Sequence, residues 1–387
     1  MSRPFSSILF ETADRSVVVV DLPRSIEEVQ DVIGIGDGDV AGIANSGRQQ
    51  RCQRLISTPA PTEPFDTPRG SDTIDYAAGR SLAGQLAELT TRASVESALR
   101  ELKTAAFDGP WCLPRCLSDH AVQTDASEGQ PDDPLIPPGA RYLDGTIADR
   151  RDEFLAAAPE FDVIVMDPPW PNRSARRRRQ GRKRKRSALD KGEDAEVHGT
   201  DSGYDTASDM AVLRDILGQI PVGAKLARSG IVAVWVTNKP ACEALLTDAK
   251  HGLFRTWGVE LVATWTWVKV TSSGEPIVAM DAQWRKPWER LLLARRPAGN
   301  GGISSTALPA HRVIVGVPDV HSRKPHLKPL LAPFLPSFPA SEIRGLEIFA
   351  RNLTSGWWAW GNEVLLFQHP SWWTTAIEPE EAVVDTK

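Results

Sequence analysis

Short apolar, β-branched runs recur through the second half of the chain, separated by longer stretches in which polar residues break the apolar pattern every three or four positions. The runs predict strands over Phe161–Met166, Gly230–Val236, Val259–Val270, Arg290–Arg295, Arg312–Val317, Leu346–Phe349 and Val364–Phe367. Helices are predicted between several of them, over Ser208–Leu217 with Ser208 as the cap, over Lys239–Lys250 and over Lys324–Leu335. Strands that alternate with helices argue for an α/β sheet with helices on both faces. In such sheets ligands bind beyond the carboxyl ends of the strands, so the residue just after each run is where chemistry is sought.

The first 135 residues are less regular. Val17–Val20 reads as a strand and Ser94–Ala106 as a helix, while Gly34–Gly70 between them is rich in Gly, Pro, Ser and Thr and is expected to be partly disordered. Gly34, Gly36 and Gly38 do not make a dinucleotide fingerprint, because Asp39 stands at the third glycine and no strand and helix frame them. A second soft stretch, Gln123–Gly139, sets the expected boundary. The reading is a partly disordered N-terminal accessory region over 1–135, a main domain over 136–375 with a basic insertion at 173–203 expected to be disordered, and a tail over 376–387.

With 41% hydrophobic residues, 387 residues can fill a large core. No run approaches the roughly 18 apolar residues that cross a bilayer, and Met1–Phe10 lacks the pattern of an export signal, so an intracellular protein without membrane contact is expected. Cysteines at 52, 112, 116 and 242 are too scattered for a disulfide framework. Cys112 and Cys116 have only His120 nearby, short of the four ligands a structural zinc needs, and no metal is expected. Net charge is −5, yet nine cations fall between Arg176 and Arg186, and without them the chain would carry −14. Cations gathered into one segment of an acidic chain offer a local surface to a polyanion.

The strongest chemical signal follows Phe161–Met166 directly: Asp167-Pro168-Pro169-Trp170. A carboxylate from Asp167 and a backbone carbonyl from Pro168 can each accept one hydrogen of an aromatic amine such as adenine N6. That draws the nitrogen toward a tetrahedral form and aims its lone pair at an electrophile. Consecutive prolines hold the carbonyl rigidly. Trp170 is expected to supply a flat face on which an extruded base stacks.

On this motif the sequence resembles the DPPW class of N6-adenine methyltransferases, in particular the methyltransferase-like protein 4 branch. The resemblance runs over about residues 141 to 369 and includes further ordered blocks: Arg141-Tyr-Leu-Asp144, Val234-Trp-Val-Thr-Asn238, Trp267-Val-Lys269, Lys286-Pro-Trp-Glu289, His321-Ser-Arg-Lys-Pro325, Leu346-Glu-Ile-Phe-Ala-Arg-Asn352 and Trp360-Gly-Asn-Glu-Val364. It implies a permuted Rossmann-like fold in which the cofactor-binding strand follows the catalytic one. It also implies S-adenosyl-L-methionine as cofactor, with Asp144 and Gly145 at the adenine end and Glu347 accepting from the ribose hydroxyls. Arg351, Asn352, Asn362 and Glu363 are expected to wall the cofactor, and Lys324 to approach its methionine carboxylate. Glu363, where the messenger-RNA branch has an amide, is what points to the methyltransferase-like protein 4 branch.

The substrate implied is nucleic acid: RNA first, with an internal 2′-O-methyladenosine of U2 spliceosomal RNA as the leading candidate, then DNA adenine. A scaffold that binds nucleic acid without catalysis is the rival from another class, and no obligate protein partner is evident. Asn172, Tyr204, Trp235, Asn238, Lys286 and Trp288 are the expected substrate contacts. The run Arg176–Arg186 is expected to serve as a phosphate clamp, a nuclear import signal or both, which makes the expected location nuclear, with a cytoplasmic share left open. Twelve of thirteen tryptophans lie at or beyond Trp170, and the pairs Trp357-Trp358 and Trp372-Trp373 are expected to pack the last strands.

Overall fold

The computed structural model describes residues 6–30, 51–66, 82–117, 133–171, 210–282, 285–297, 307–336 and 342–377. The expected insertion, Ser208, Asn172, Tyr204 and the Gly34–Gly38 stretch lie outside them. Among the described residues there are twelve strands: β1 (Ile8–Glu11), β2 (Val17–Val20), β3 (Arg51–Leu55), β4 (Arg141–Asp144), β5 (Phe161–Met166), β6 (Leu226–Val236), β7 (Glu260–Lys269), β8 (Trp288–Arg295), β9 (His311–Gly316), β10 (Gly345–Ile348), β11 (Trp358–Gly361) and β12 (Trp373–Ile377). Ten form one sheet in the order β1-β2-β9-β7-β8-β6-β5-β10-β11-β4, and β3 pairs with β12 in a separate antiparallel ribbon. Within the large sheet β1 and β8 run antiparallel to their neighbours, while the other pairings are parallel.

Both faces of this sheet are covered, which explains the unbroken apolar runs. On β6, Val232, Val234 and Val236 enter one core cluster with Phe154, Leu213, Leu217 and Trp257. Ile231, Ala233 and Trp235 enter the other with Trp265, Leu330 and Phe334. The first cluster is covered by helices on one face of the sheet. Its main helices are Ile147–Ala157, capped by the Thr146 hydroxyl that accepts from the Asp149 amide, and Met210–Gly218. No described helix is long and apolar enough to cross a membrane.

Four expectations change. Val364–Phe367 is a turn, and the strand there is β11, which begins after Gly356 takes a left-handed φ of 72°. Lys324–Leu335 shrinks to the single turn Lys328–Leu331 and a 3-10 turn over Ala332–Phe334, because Pro325, Pro329 and Pro333 remove backbone donors. The stretch Lys239–Lys250 gives the helix Pro240–Thr247, ended where Asp248 takes the amides of Lys250 and His251, with a second helix over Leu253–Trp257. The helix read at Ser94–Ala106 spans Leu82–Thr104. The residues ahead of the expected boundary also join the main sheet: β2 lies parallel to β9, with Val17, Val18 and Val19 opposite Val313, Ile314 and Val315. That boundary marks a change of sequence character and leaves the packing continuous.

The topology places a crevice. From β5 the chain crosses to β6 on one side, whereas from β10 it turns to β11 on the other, so the carboxyl ends of neighbouring β5 and β10 flank a switch point. Gly345, which opens β10, lies against the Trp357 indole, and a Cβ there would come within 2.0 Å of the ring. Gly345→Ala is therefore expected to destabilise the fold by about 1–3 kcal/mol through overpacking, read as a lowered thermal midpoint. An unchanged midpoint would mean that the Trp357 ring moves aside without cost.

Candidate active site

The residues with chemistry leave the sheet at one edge. Asp167 follows β5, Lys269 ends β7, Glu289 sits at the start of antiparallel β8, and Lys324 lies in the loop after β9. Arg351 and Asn352 follow β10, Asn362 and Glu363 follow β11, and Asp144 ends β4 with Gly145 next in the chain. Because β8 runs backwards, its first residues reach the edge that the parallel strands reach with their last. Trp267 pairs with Glu289 in that register.

A chain of charges crosses this edge. Lys324 Nζ donates to Asp167 Oδ2 at 2.9 Å and lies 3.2 Å from Glu289 Oε2, and Lys269 closes the row by pairing with Glu289. Arg351 Nη1 stands 3.9 Å from the same Asp167 Oδ2, and its Nε donates to Glu363 at 3.0 Å. Both cations face Oδ2. Asp167 Oδ1 has no hydrogen-bond partner among the described residues.

Two carboxylates beside this row are pushed in opposite directions. Burial acts to raise the pKa of Glu289, but Lys324 and Lys269 outweigh it and hold the group at about 2. Burial raises Glu347 to about 7, with the charge of Asp167 adding to it and Arg351 partly offsetting it. Lys324 is itself desolvated, yet Asp167 and Glu289 keep its pKa above the ordinary lysine range. Burial, with Lys328 nearby, lowers His326 to about 3, and this neutral ring contacts the Thr354 hydroxyl through Nε2 at 2.8 Å.

The crevice brings together Asp167, Trp235, Lys324, Glu347, Arg351 and Asn352. Trp235 is buried, and the Lys324 ammonium stands 5.9 Å from its ring centroid. Asp144, Gly145, Asn362 and Glu363 lie further along the edge, tied to it by the Gly145 amide donating to the Gly361 carbonyl at 3.1 Å and by the Arg351–Glu363 pair. Pro168 is buried, Pro169 half-buried, and the Pro168 carbonyl accepts from the Trp170 amide at 2.7 Å, which closes a tight turn.

Trp170 differs from its expected role as a stacking platform. Its indole is only 6% exposed, it packs in the core with Leu213 and Val236, and its N–H donates to the Trp235 carbonyl at 2.8 Å. A buried indole N–H needs an acceptor, and this one braces the Asp167 loop against β6. Asn238, Lys286 and Trp288 gather around a different groove of about 270 Å³, between the helices Leu82–Thr104 and Pro240–Thr247. There Asn238 donates to the Trp288 carbonyl at 2.7 Å and Lys286 pairs with Glu88. Glu289, His326, Trp357 and Ile26 belong to the site without having been singled out. The Lys286-Pro-Trp-Glu289 block carried the signal for Glu289, whereas Ile26 arrives from the region placed outside the domain.

Residues 161–363 match the model of the MT-A70 family. Over 371 residues, 96% of this chain and 95% of the relative, the sequence is 42% identical to the N6-methyladenosine RNA methyltransferase MTA1 of Cryphonectria parasitica. It is 35% identical to the human N(6)-adenine-specific methyltransferase METTL4 over 242 residues, 61% of this chain and 44% of that one. A Caenorhabditis elegans relative named DNA N6-methyl methyltransferase is 29% identical over 256 residues, 66% of this chain and 59% of its own. The matched span runs from the first residue of the strand that presents Asp167 to Glu363 at the far wall of the crevice, and the chain belongs to the MT-A70 family.

Proposed function

We propose that this chain methylates the N6 amine of adenine in RNA. As a member of the MT-A70 family it is an N6-adenine methyltransferase with S-adenosylmethionine as methyl donor. The observation that carries the reading is the Asp167 carboxylate at the switch point, with one oxygen held by cations and the other without a partner among the described residues.

The crevice suits the cofactor on its own terms. S-adenosylmethionine carries a carboxylate, an ammonium and a sulfonium, and the site offers the cations Lys324 and Arg351 beside the carboxyl groups of Asp167 and Glu347. The Asn362 Nδ2 is buried without a hydrogen-bond partner among the described residues, a donor that a bound acceptor would satisfy. Lys324 would meet the methionine carboxylate, Glu347 the ribose hydroxyls, and Asp144, Gly145, Asn352, Asn362 and Glu363 the remaining walls. When bound, the cofactor supplies a methyl group on a cationic sulfur. Asp167 Oδ1 and the second lone pair of the Pro168 carbonyl accept the two N6 hydrogens and localise the nitrogen lone pair. The Trp170 turn holds that carbonyl still, so little reorganisation is left for the reaction itself.

RNA is supported by the relative that aligns nearly end to end, an N6-methyladenosine RNA methyltransferase by name, and by the nine cations of Arg176–Arg186, suited to phosphate contacts. An internal 2′-O-methyladenosine of U2 spliceosomal RNA is the specific target we favour. Nuclear import is the second role proposed for the basic run, and it would bring enzyme and target together. The test is methyl transfer from labelled cofactor to RNA carrying adenosine, the same RNA carrying 2′-O-methyladenosine, and DNA of matching sequence. RNA labelling above DNA supports the reading, with the 2′-O-methylated strand highest. DNA labelling above both RNAs, or no labelling of any, overturns it.

Glu347 gives a pH test. Its pKa of about 7 means that the carboxyl is partly protonated below neutrality, and a group serving the ribose hydroxyls as an ionised acceptor must lose that proton. Cofactor affinity should rise as pH increases through about 7 and level off above it, with binding below that pH releasing a proton. Glu347→Gln should weaken binding and flatten the profile. A profile unchanged by that substitution would take Glu347 out of the cofactor site.

A further inference from the structure

Lys324 reaches Asp167 from a loop that has little regular structure of its own, between β9 and the turn at Lys328. Several of the contacts that hold that loop come from residues ahead of the family-matched span. Residues 54–58 and 112–116 lie side by side, joined by the bridge between Ile56 and Cys116, by the Ser57 amide donating to the Cys116 carbonyl at 2.8 Å and by Arg54 donating to the Pro114 carbonyl. Arg115 extends from this clip and donates to the carbonyls of Val317 and Pro318 at 3.1 and 2.8 Å. The Thr58 amide donates to Asp319 Oδ1 at 2.8 Å.

Asp319 is the meeting point. Its side chain is fully buried, with Arg323 Nη1 donating to its Oδ2 at 2.7 Å and Arg115 Nη1 3.6 Å from its Oδ1. Arg323 also donates to the Ile56 carbonyl at 2.9 Å, and its guanidinium lies 4.5 Å from the Phe367 ring and 4.7 Å from that of Trp372. Arg323 is therefore fixed by charge, by a backbone acceptor and by two aromatic faces. Lys324 is the next residue. Just before them Ser322 has a φ of 73°, a left-handed conformation that a residue with a side chain keeps when its surroundings impose it. On the far side the His326 amide donates to the Ser25 hydroxyl at 2.9 Å, a second anchor from the N-terminal residues.

We propose that Asp319 is a positioning residue for Lys324, through which the N-terminal clip completes the cofactor site. The clip does so without touching the crevice charges itself, and the N-terminal residues are a working part of the active site instead of a separate accessory region. The proposal rests on the reading of Lys324 as a cofactor contact, and its test separates the two.

The full chain is compared with Asp319→Asn, Lys324→Met and the double variant by calorimetry with S-adenosylmethionine, alongside thermal midpoints. Asp319→Asn keeps the volume and removes the charge, so that Arg323 and Arg115 lose their shared anion. Cofactor affinity should fall roughly tenfold, the factor that goes with weakening one hydrogen bond to a charged group. In the Lys324→Met background the same substitution should change affinity by less than about twofold, because the residue through which it acts is gone. A merely structural role would give the same factor in both backgrounds, and that result overturns the proposal. Loss on Lys324→Met with none on Asp319→Asn overturns it alone, whereas no loss on Lys324→Met overturns the cofactor role of Lys324 as well. Should Asp319→Asn fail to fold, Arg115→Met, which removes the grip on Val317 and Pro318, is carried through the same cycle and read by the same criteria.

Discussion

The contact on which this site depends is the ion pair of Lys324 with Asp167. A carboxylate at the mouth of a buried crevice must be stabilised, and a lysine drawn out of water must be compensated. Each solves the other's problem at 2.9 Å, and Glu289 with Lys269 extends the solution so that no charge in the row stands alone. Because the cations face one oxygen of Asp167, the other is left without a partner among the described residues, as its proposed action on a substrate amine requires. Electrostatic balance and chemical availability thus come from the same geometry.

That geometry follows from topology. Parallel strands bring their carboxyl ends to one edge, and a crossover that reverses between β5 and β10 opens the crevice there. One antiparallel strand, β8, brings an anion, Glu289, to an edge otherwise fed by strand C-termini. Glu347, on β10, has Arg351 in place of two lysines to offset its burial, and this is why two carboxyl groups in the same site are driven in opposite directions. The network continues outward through Arg351 to Glu363, so the Asp167 and Glu363 ends of the crevice are electrically joined.

Strand β5 was legible in the sequence because a parallel strand covered on both faces must be apolar almost throughout, and Asp167-Pro168-Pro169-Trp170 could then be placed at its end. The family blocks brought Lys324, Glu347, Arg351 and Asn352 into view, and the fold gathers them with Asp167. Other features had no local signature. Val17–Val20 was readable as a strand, but its partner β9 lies nearly the length of the chain away, so nothing nearby showed that it belonged to the main sheet. Trp170 could serve as platform or brace, and only the position of the Trp235 carbonyl decides for the brace. The leucines of Lys324–Leu335 have helical spacing, yet three prolines leave just one α-helical turn. Glu289 stood in a block the sequence showed, but its place in the charge row had no local sign, since its lysines come from other strands and loops.

The central claim is that Asp167 acts on the substrate nitrogen, while Lys324 is kept in place by Glu289 as well. The measurement that bears on it most directly is single-turnover methyl transfer to RNA by Asp167→Ala at saturating cofactor, with cofactor affinity determined on the same preparation. The account predicts a rate lower by roughly 10²–10³ or more, as for loss of a preorganised partner at a reacting centre, with affinity within a few-fold of the native value. Native turnover, or a loss of rate that rising cofactor concentration fully restores, would contradict it.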